Sequence, residues 1–61
     1  MKDAIQEIIG SEVEWTFLLR GGHVIKGIPS ADYETYFTLR HDNRSSDDLS
    51  RVSYDAVVAF K

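Results

Sequence analysis

Sixty-one residues without a cysteine make one small domain that no disulfide can staple. The formal net charge of −3 argues against a domain that coats nucleic acid non-specifically, so any nucleic-acid role must rest on local sites. No apolar run approaches a membrane span and the acidic opening MKDAIQEIIG does not read as a secretory signal, so a cytoplasmic protein with no membrane role is expected.

A chain this short buries a modest share of its surface and usually needs a disulfide, a metal or a partner. Neither His23 nor His41 has a neighbour at metal-ligand spacing, and no CxxC or HxxxH pattern occurs. A partner subunit is therefore the expected staple. The hydrophobic content of 43% is enough for a globular fold.

In chain order, Asp3 is placed to cap a short helix, with Gln6 in the capping-box position. Ile5, Ile8 and Ile9 share one helical face, and Gly10 suits the left-handed residue that ends the helix. So short a helix cannot stand alone in water, so its isoleucines must cover something, most simply the open end of a barrel. From Ser11 to Arg20 the period changes. Val13, Trp15, Phe17 and Leu19 alternate with polar residues, as in a half-buried strand, with Leu18 the exception. Trp15 reads as core, with an indole N–H that needs a partner if buried.

Gly21-Gly22 is a two-residue hairpin signal, and the second strand starts at His23. Gly27 inside that strand marks a bulge, a bend or a close backbone approach. Pro29 lacks an N–H, so regular pairing is expected to end near Ile28 or that segment to lie on an edge, with Ser30-Ala31-Asp32 then a turn. Glu34 to Arg40 alternates again, with Thr35, Phe37 and Leu39 on one face and Tyr36, Thr38 and Arg40 on the other. Asp42 to Arg51 reads as a polar hairpin loop, in which Asn43-Arg44-Ser45 is a chance glycosylation match.

Ser53-Tyr54-Asp55 suggests a short turn before the closing run Ala56 to Phe60. That run is apolar on both faces and comes last, so it is expected at an edge. An uncharged apolar edge invites another chain. Val57, Val58 and Phe60 are accordingly the expected subunit contacts, and a head-to-tail contact that closes makes a ring. The whole reads as mainly β: a short N-terminal helix over residues 1–10, then a five-stranded, strongly bent antiparallel SH3-like barrel over residues 12–61, in one domain spanning 1–61.

A short helix followed by five bent strands resembles the Sm-like family, the ring-forming RNA-binding proteins that include Sm, Lsm and bacterial Hfq. Gly22-His23-Val24-Ile25-Lys26-Gly27 is similar to the family's first motif, in which one glycine turns the chain and a second, five residues on, bends the strand. Asp32 resembles that motif's aspartate, followed by a third strand at Tyr36-Phe37-Thr38-Leu39. Val52-Ser53-Tyr54 with the apolar run after it resembles the second motif. This chain is one residue shorter between Gly27 and Asp32 and lacks the asparagine that many members set against uracil. Ser53-Tyr54 stands where Arg-Gly is typical; Hfq proteins have Lys-His there.

The resemblance implies a homo-oligomeric ring that binds single-stranded, uridine-rich RNA as a chaperone or scaffold. It places the site after the second strand and in the turn before the last. Tyr33, Tyr36 and Tyr54 are then the stacking platforms, and Asp32 and Ser53 meet base edges. Lys26 and Arg40, with Arg20, are the implied phosphate contacts. Repetition around a ring gives avidity without a basic subunit. Each residue also has a plainer use: Tyr54 as a barrel cap, Asp32 and Asp55 as turn formers, and the cations as solvated strand ends. The alternative function is an SH3-like assembly module that binds proteins and no RNA. No nucleophile–base pair, phosphate loop or zinc pattern is present, so no catalytic residue, cofactor, metal or small-molecule substrate is expected.

Overall fold

The computed structural model describes residues 2–41 and 49–61. Helix α1 spans Lys2–Ile8 and is followed by strands β1 (Trp15–Leu19), β2 (Val24–Asp32), β3 (Tyr36–Arg40), β4 (Leu49–Ser53) and β5 (Val57–Phe60). Short 3-10 turns at Arg20–Gly22 and Tyr54–Ala56 precede β2 and β5. The strands form one antiparallel sheet in the order β4-β3-β2-β1-β5. Among the described residues no ladder joins β4 to β5, so the sheet is open and both are edges.

The helix begins at Lys2, so Asp3 lies in its first turn rather than at the cap, where its charge still opposes the positive end of the helix dipole. Ile5 is fully buried, and Ile8 and Ile9 pack against the same core. Gly10, at φ 88°, ends the helix in the left-handed conformation, and its N–H donates to the Pro29 carbonyl at 3.3 Å.

Strand β1 starts at Trp15, later than the periodicity of residues 11–20 implies. Trp15 pairs with Gly27, the last β2 residue in that ladder. Val13 therefore has no strand opposite it and is 52% exposed rather than core. Phe17 is fully buried while Leu18, the exception to the alternation, is 40% exposed. The 3-10 turn in the connection to β2 is three residues long, closed by Leu19 N–H donating to the His23 carbonyl at 2.7 Å. Both Gly21 and Gly22 have positive φ there, which wraps the chain one residue wider than a two-residue turn.

Strand β2 is where the sheet turns. Its first half, Val24 to Gly27, pairs with β1, and its second half, Ile28 to Asp32, pairs with β3. At the changeover the backbones crowd. A Cβ on Gly27 would sit 3.0 Å from Leu39 Cβ and 3.3 Å from the Arg40 carbonyl oxygen. Glycine is required there for close approach, one of the three meanings a strand glycine can carry. Pro29 does not end the strand. The β1 ladder has already stopped at Gly27, and a register shift between Pro29 and Ala31 absorbs the irregularity. Ser30-Ala31-Asp32 is therefore strand, not turn.

Strand β3 buries Phe37 and Leu39 completely. Thr35 is not on that face; it lies in the turn before β3, where its carbonyl accepts the Tyr54 N–H at 3.1 Å. Leu49, Ser50 and Arg51 are strand β4 rather than loop, because Ser50 and Val52 turn inward and pair along β3 while Leu49, Arg51 and Ser53 stay exposed. Positions 42–48, with the Asn43-Arg44-Ser45 match, lie outside the described residues.

The core is the concave face of this sheet: Phe17, Phe37, Leu39, Val52 and Val57, closed by Ile5 from the helix and Tyr54 from the turn. Neighbouring strands lie about 4.8 Å apart, so β1 and β3 would be about 9.6 Å apart in a flat sheet. The rings of Phe17 on β1 and Phe37 on β3 nevertheless have centroids 5.3 Å apart, as a curled sheet allows. Phe60 on β5 stacks on Phe17 at 5.6 Å and meets the edge of Trp15 at 5.5 Å.

Candidate nucleic-acid interface

The end of β2, the turn into β3 and the turn before β5 meet at one corner. Asp32 is its centre. One carboxylate oxygen accepts the Tyr54 hydroxyl, and the other accepts the Gln6 side-chain amide at 3.0 Å. The Tyr54 hydrogen bond, with lesser help from Gln6 and Lys2, holds the Asp32 carboxyl below its ordinary pKa, although partial desolvation opposes this. Burial, then the bond to Asp32 and its charge, push the Tyr54 phenol well above the ordinary tyrosine value. Lys2 completes the corner. Its ammonium donates to the Glu34 carbonyl at 2.7 Å and lies 5.3 Å from the Tyr54 ring centre.

This corner brings together the segments around Asp32 and around Ser53-Tyr54, which are far apart in sequence. It also corrects the reading of Tyr54 as a stacking platform. Tyr54 is 6% exposed, packs on Phe37 at 5.1 Å and keeps its hydroxyl on Asp32. It is a core-capping residue that ties α1, β2 and the last turn together. Asp32, with both oxygens engaged, is committed to the same tie, although it remains exposed at its outer side. Ser53 is exposed at the end of β4, opposite Tyr36.

The other two tyrosines are available. Tyr33 is 48% exposed and Tyr36 half-buried. Their rings stack with centroids 4.7 Å apart and planes within 12°, fixed by the Tyr33 N–H donating to the Tyr36 carbonyl at 2.9 Å. They form one end of an open groove of about 590 Å³ on the outer face of β3 and β4, continued by Thr38, Leu49 and Arg51. Cross-strand pairing places Arg51 directly opposite Thr38. The sequence reading did not single out Thr38, Leu49 or Arg51. The signal for two of them was the alternation Leu49-Ser50-Arg51-Val52-Ser53, which the polar residues before it obscured.

The expected phosphate contacts separate. Arg40 is engaged with Glu12 at 2.7 Å, an ion pair at the surface. Lys26 pairs across β2 and β1 with Thr16, away from the tyrosine groove. Lys26 lies off the tyrosine groove because the turn of the sheet at Gly27 separates the β1–β2 face from the β3–β4 face, whereas Arg40 shares the strand face of the groove, opposite Leu49, and is engaged there by Glu12. The expected subunit contacts divide as well. Val57 is 8% exposed and packs in the chain's own core, Phe60 is half-buried against Phe17, and Val58 is 51% exposed at the edge. Beside Val58, a second, apolar hollow of about 240 Å³ is lined by Leu18, Val24, Ala59 and Phe60, with Thr16 and Lys61 at its side.

Among the described residues no three His, Cys, Asp or Glu side chains are grouped to hold a metal. No helix of the described residues is long and apolar enough to cross a membrane. The buried indole Nε1 of Trp15 has no hydrogen-bond partner among the described residues. These features define a small mainly-β protein of one short helix and one curled antiparallel sheet with two unlike free edges. No protein-family model, curated protein or solved structure matches the chain.

Proposed function

We propose that this chain is the subunit of a homo-oligomeric ring with an Sm-like barrel fold, and that the ring binds single-stranded RNA as a chaperone or scaffold. The observation that carries the reading is the pair of free edges. Strand β4 ends one side of the sheet and β5 the other, and β5 is uncharged with Val58 and Ala59 exposed. An apolar edge of this kind invites pairing with another strand. Because the two edges differ, pairing β5 of one copy with β4 of the next is heterologous, and a heterologous contact closes into a ring when its rotation allows. The shared, bent strand β2 supports a barrel that such pairing would complete.

The RNA part of the reading rests on the exposed Tyr33–Tyr36 stack, since single-stranded bases are held mainly on aromatic faces. A second reading has its own support. Tyr54 and Asp32 serve the chain's own fold and the net charge is −3, which favours an assembly module that binds protein without RNA. Native mass spectrometry of the pure protein, with and without a short uridine-rich RNA at low salt, separates them. A closed oligomer that takes up RNA and sheds it as salt rises supports the first. A closed oligomer indifferent to RNA favours the second, and a monomer removes the edge argument.

A further inference from the structure

We infer that the outer groove of β3 and β4 is a nucleotide site in which Arg51 holds a phosphate while a base stacks on Tyr33 and Tyr36. This rests on the RNA reading above and names where and by which residues the strand is held. The groove combines the two chemistries a single-stranded nucleotide requires. The tyrosine pair is already stacked and partly exposed, so a planar base gains contact there at small cost in side-chain entropy. Arg51 is exposed on the same face, and among the described residues it has no ion-pair partner. A guanidinium presents donors in a fork that matches phosphate oxygens.

The spacing suits one nucleotide. Tyr36 faces Ser53 across the ladder and Thr38 faces Arg51, so the platform and the guanidinium are one step apart along the same face. One such step is about 6.8 Å along a strand. Thr38, directly across from Arg51, is buried in the floor of the groove, and exposed Leu49 supplies an apolar wall for a sugar or base edge. The carboxylates nearby do not oppose an anion equally. Asp32 has both oxygens engaged by Tyr54 and Gln6, and the Lys2 ammonium sits on the carbonyl of Glu34, whose own carboxylate is the exposed negative group of that turn. Edge pairing between copies would leave this face open, because paired strands keep their side chains on the same side of the sheet. Lys26 and Arg40 lack this placement: one lies off the groove and the other is paired with Glu12.

The test is binding of a uridine hexamer and an adenosine hexamer across a salt series, for the full chain and for Arg51→Ala, Arg51→Lys, Tyr36→Ala and Lys26→Ala. Each phosphate neutralised on a single strand contributes about −0.7 to the slope of log affinity against log salt. Arg51→Ala should weaken binding roughly tenfold and flatten the slope by about 0.7 per nucleotide site. Arg51→Lys should keep the slope, because the charge remains. Tyr36→Ala should weaken binding about 5- to 150-fold with the slope unchanged, the range expected for one stacked base. Lys26→Ala should change neither. If the parent chain binds and Lys26→Ala flattens the slope while Arg51→Ala does not, the groove is wrong and the RNA reading stands. If the parent chain binds neither hexamer but captures a protein, both are overturned.

Discussion

The Tyr54 hydroxyl donates to Asp32, so one hydrogen bond joins the turn before β5 to the end of β2, with Gln6 of α1 on the other carboxylate oxygen. The bond shifts both groups, and the signs give a pH test. The Asp32 carboxyl is held below the ordinary aspartate value of 3.8, so its contribution to stability is present above that pH and is lost as pH falls through the folded value. The Tyr54 phenol is raised above the ordinary tyrosine value of 10.0, so its contribution is present below that pH and is lost as pH rises past it. Thermal melts of the parent chain, Asp32→Asn and Tyr54→Phe should show the advantage over Asp32→Asn shrinking below about pH 4 and the advantage over Tyr54→Phe shrinking above about pH 10. Melting curves that stay parallel across both ranges would refute the coupling.

Gly27 should be intolerant of even a methyl group. Its added Cβ would meet Leu39 Cβ at 3.0 Å and the Arg40 carbonyl at 3.3 Å, and the backbone oxygen cannot swing aside. Overpacking of this kind costs about 1–3 kcal/mol. The entropy that alanine removes from the unfolded chain returns only about 0.4–1 kcal/mol, so destabilisation wins. Urea unfolding of Gly27→Ala should give a lower midpoint with an unchanged slope. An equal or higher midpoint would mean that β2 and β3 can separate at the bend.

Gly22 makes the contrasting case, because nothing lies within 4 Å of an added Cβ while its φ is 84°. The objection there is handedness rather than space. Alanine should destabilise by about 1–2 kcal/mol, whereas D-alanine, introduced by chemical synthesis, should be neutral or stabilising. If both enantiomers destabilise alike, the turn is constrained by something other than its backbone angle.

These two glycines mark how far the sequence was legible. Both were readable as punctuation, because a glycine pair between apolar runs means a turn and a lone glycine in a strand means a bend or close contact. The core alternation Trp15, Phe17, Leu19 and Phe37, Leu39 was readable for the same reason: each run has a single period. Pro29 left two readings open, an end to pairing or a segment with a neighbour on one side only, and the second holds because β2 changes partner just before it. β4 was partly hidden because Val52 is its one fully inward apolar residue. Tyr54 could not be resolved from type alone. A tyrosine after a turn is equally a platform or a cap, and only the position of Asp32 decides. Arg51 entered the site through its cross-strand partner Thr38, a relationship that no local pattern encodes.

Unlike free edges give a sharper test of assembly than a single disruptive variant. Val58→Lys places a charge on the β5 edge at a residue 51% exposed, and Leu49→Lys does the same on the β4 edge at a residue also 51% exposed. Neither should unfold the subunit, so circular dichroism should match the parent chain. In head-to-tail pairing each variant alone loses its only contact and runs as a monomer. Mixed together, the intact β4 edge of Val58→Lys meets the intact β5 edge of Leu49→Lys, and the two charged edges cannot extend the chain. Native mass spectrometry of the mixture should therefore show a one-to-one heterodimer and no ring. A two-fold contact of β5 on β5 would instead leave Leu49→Lys dimeric by itself and give no heterodimer with Val58→Lys. Assembly of either variant into the parent oligomer would show that neither edge is used.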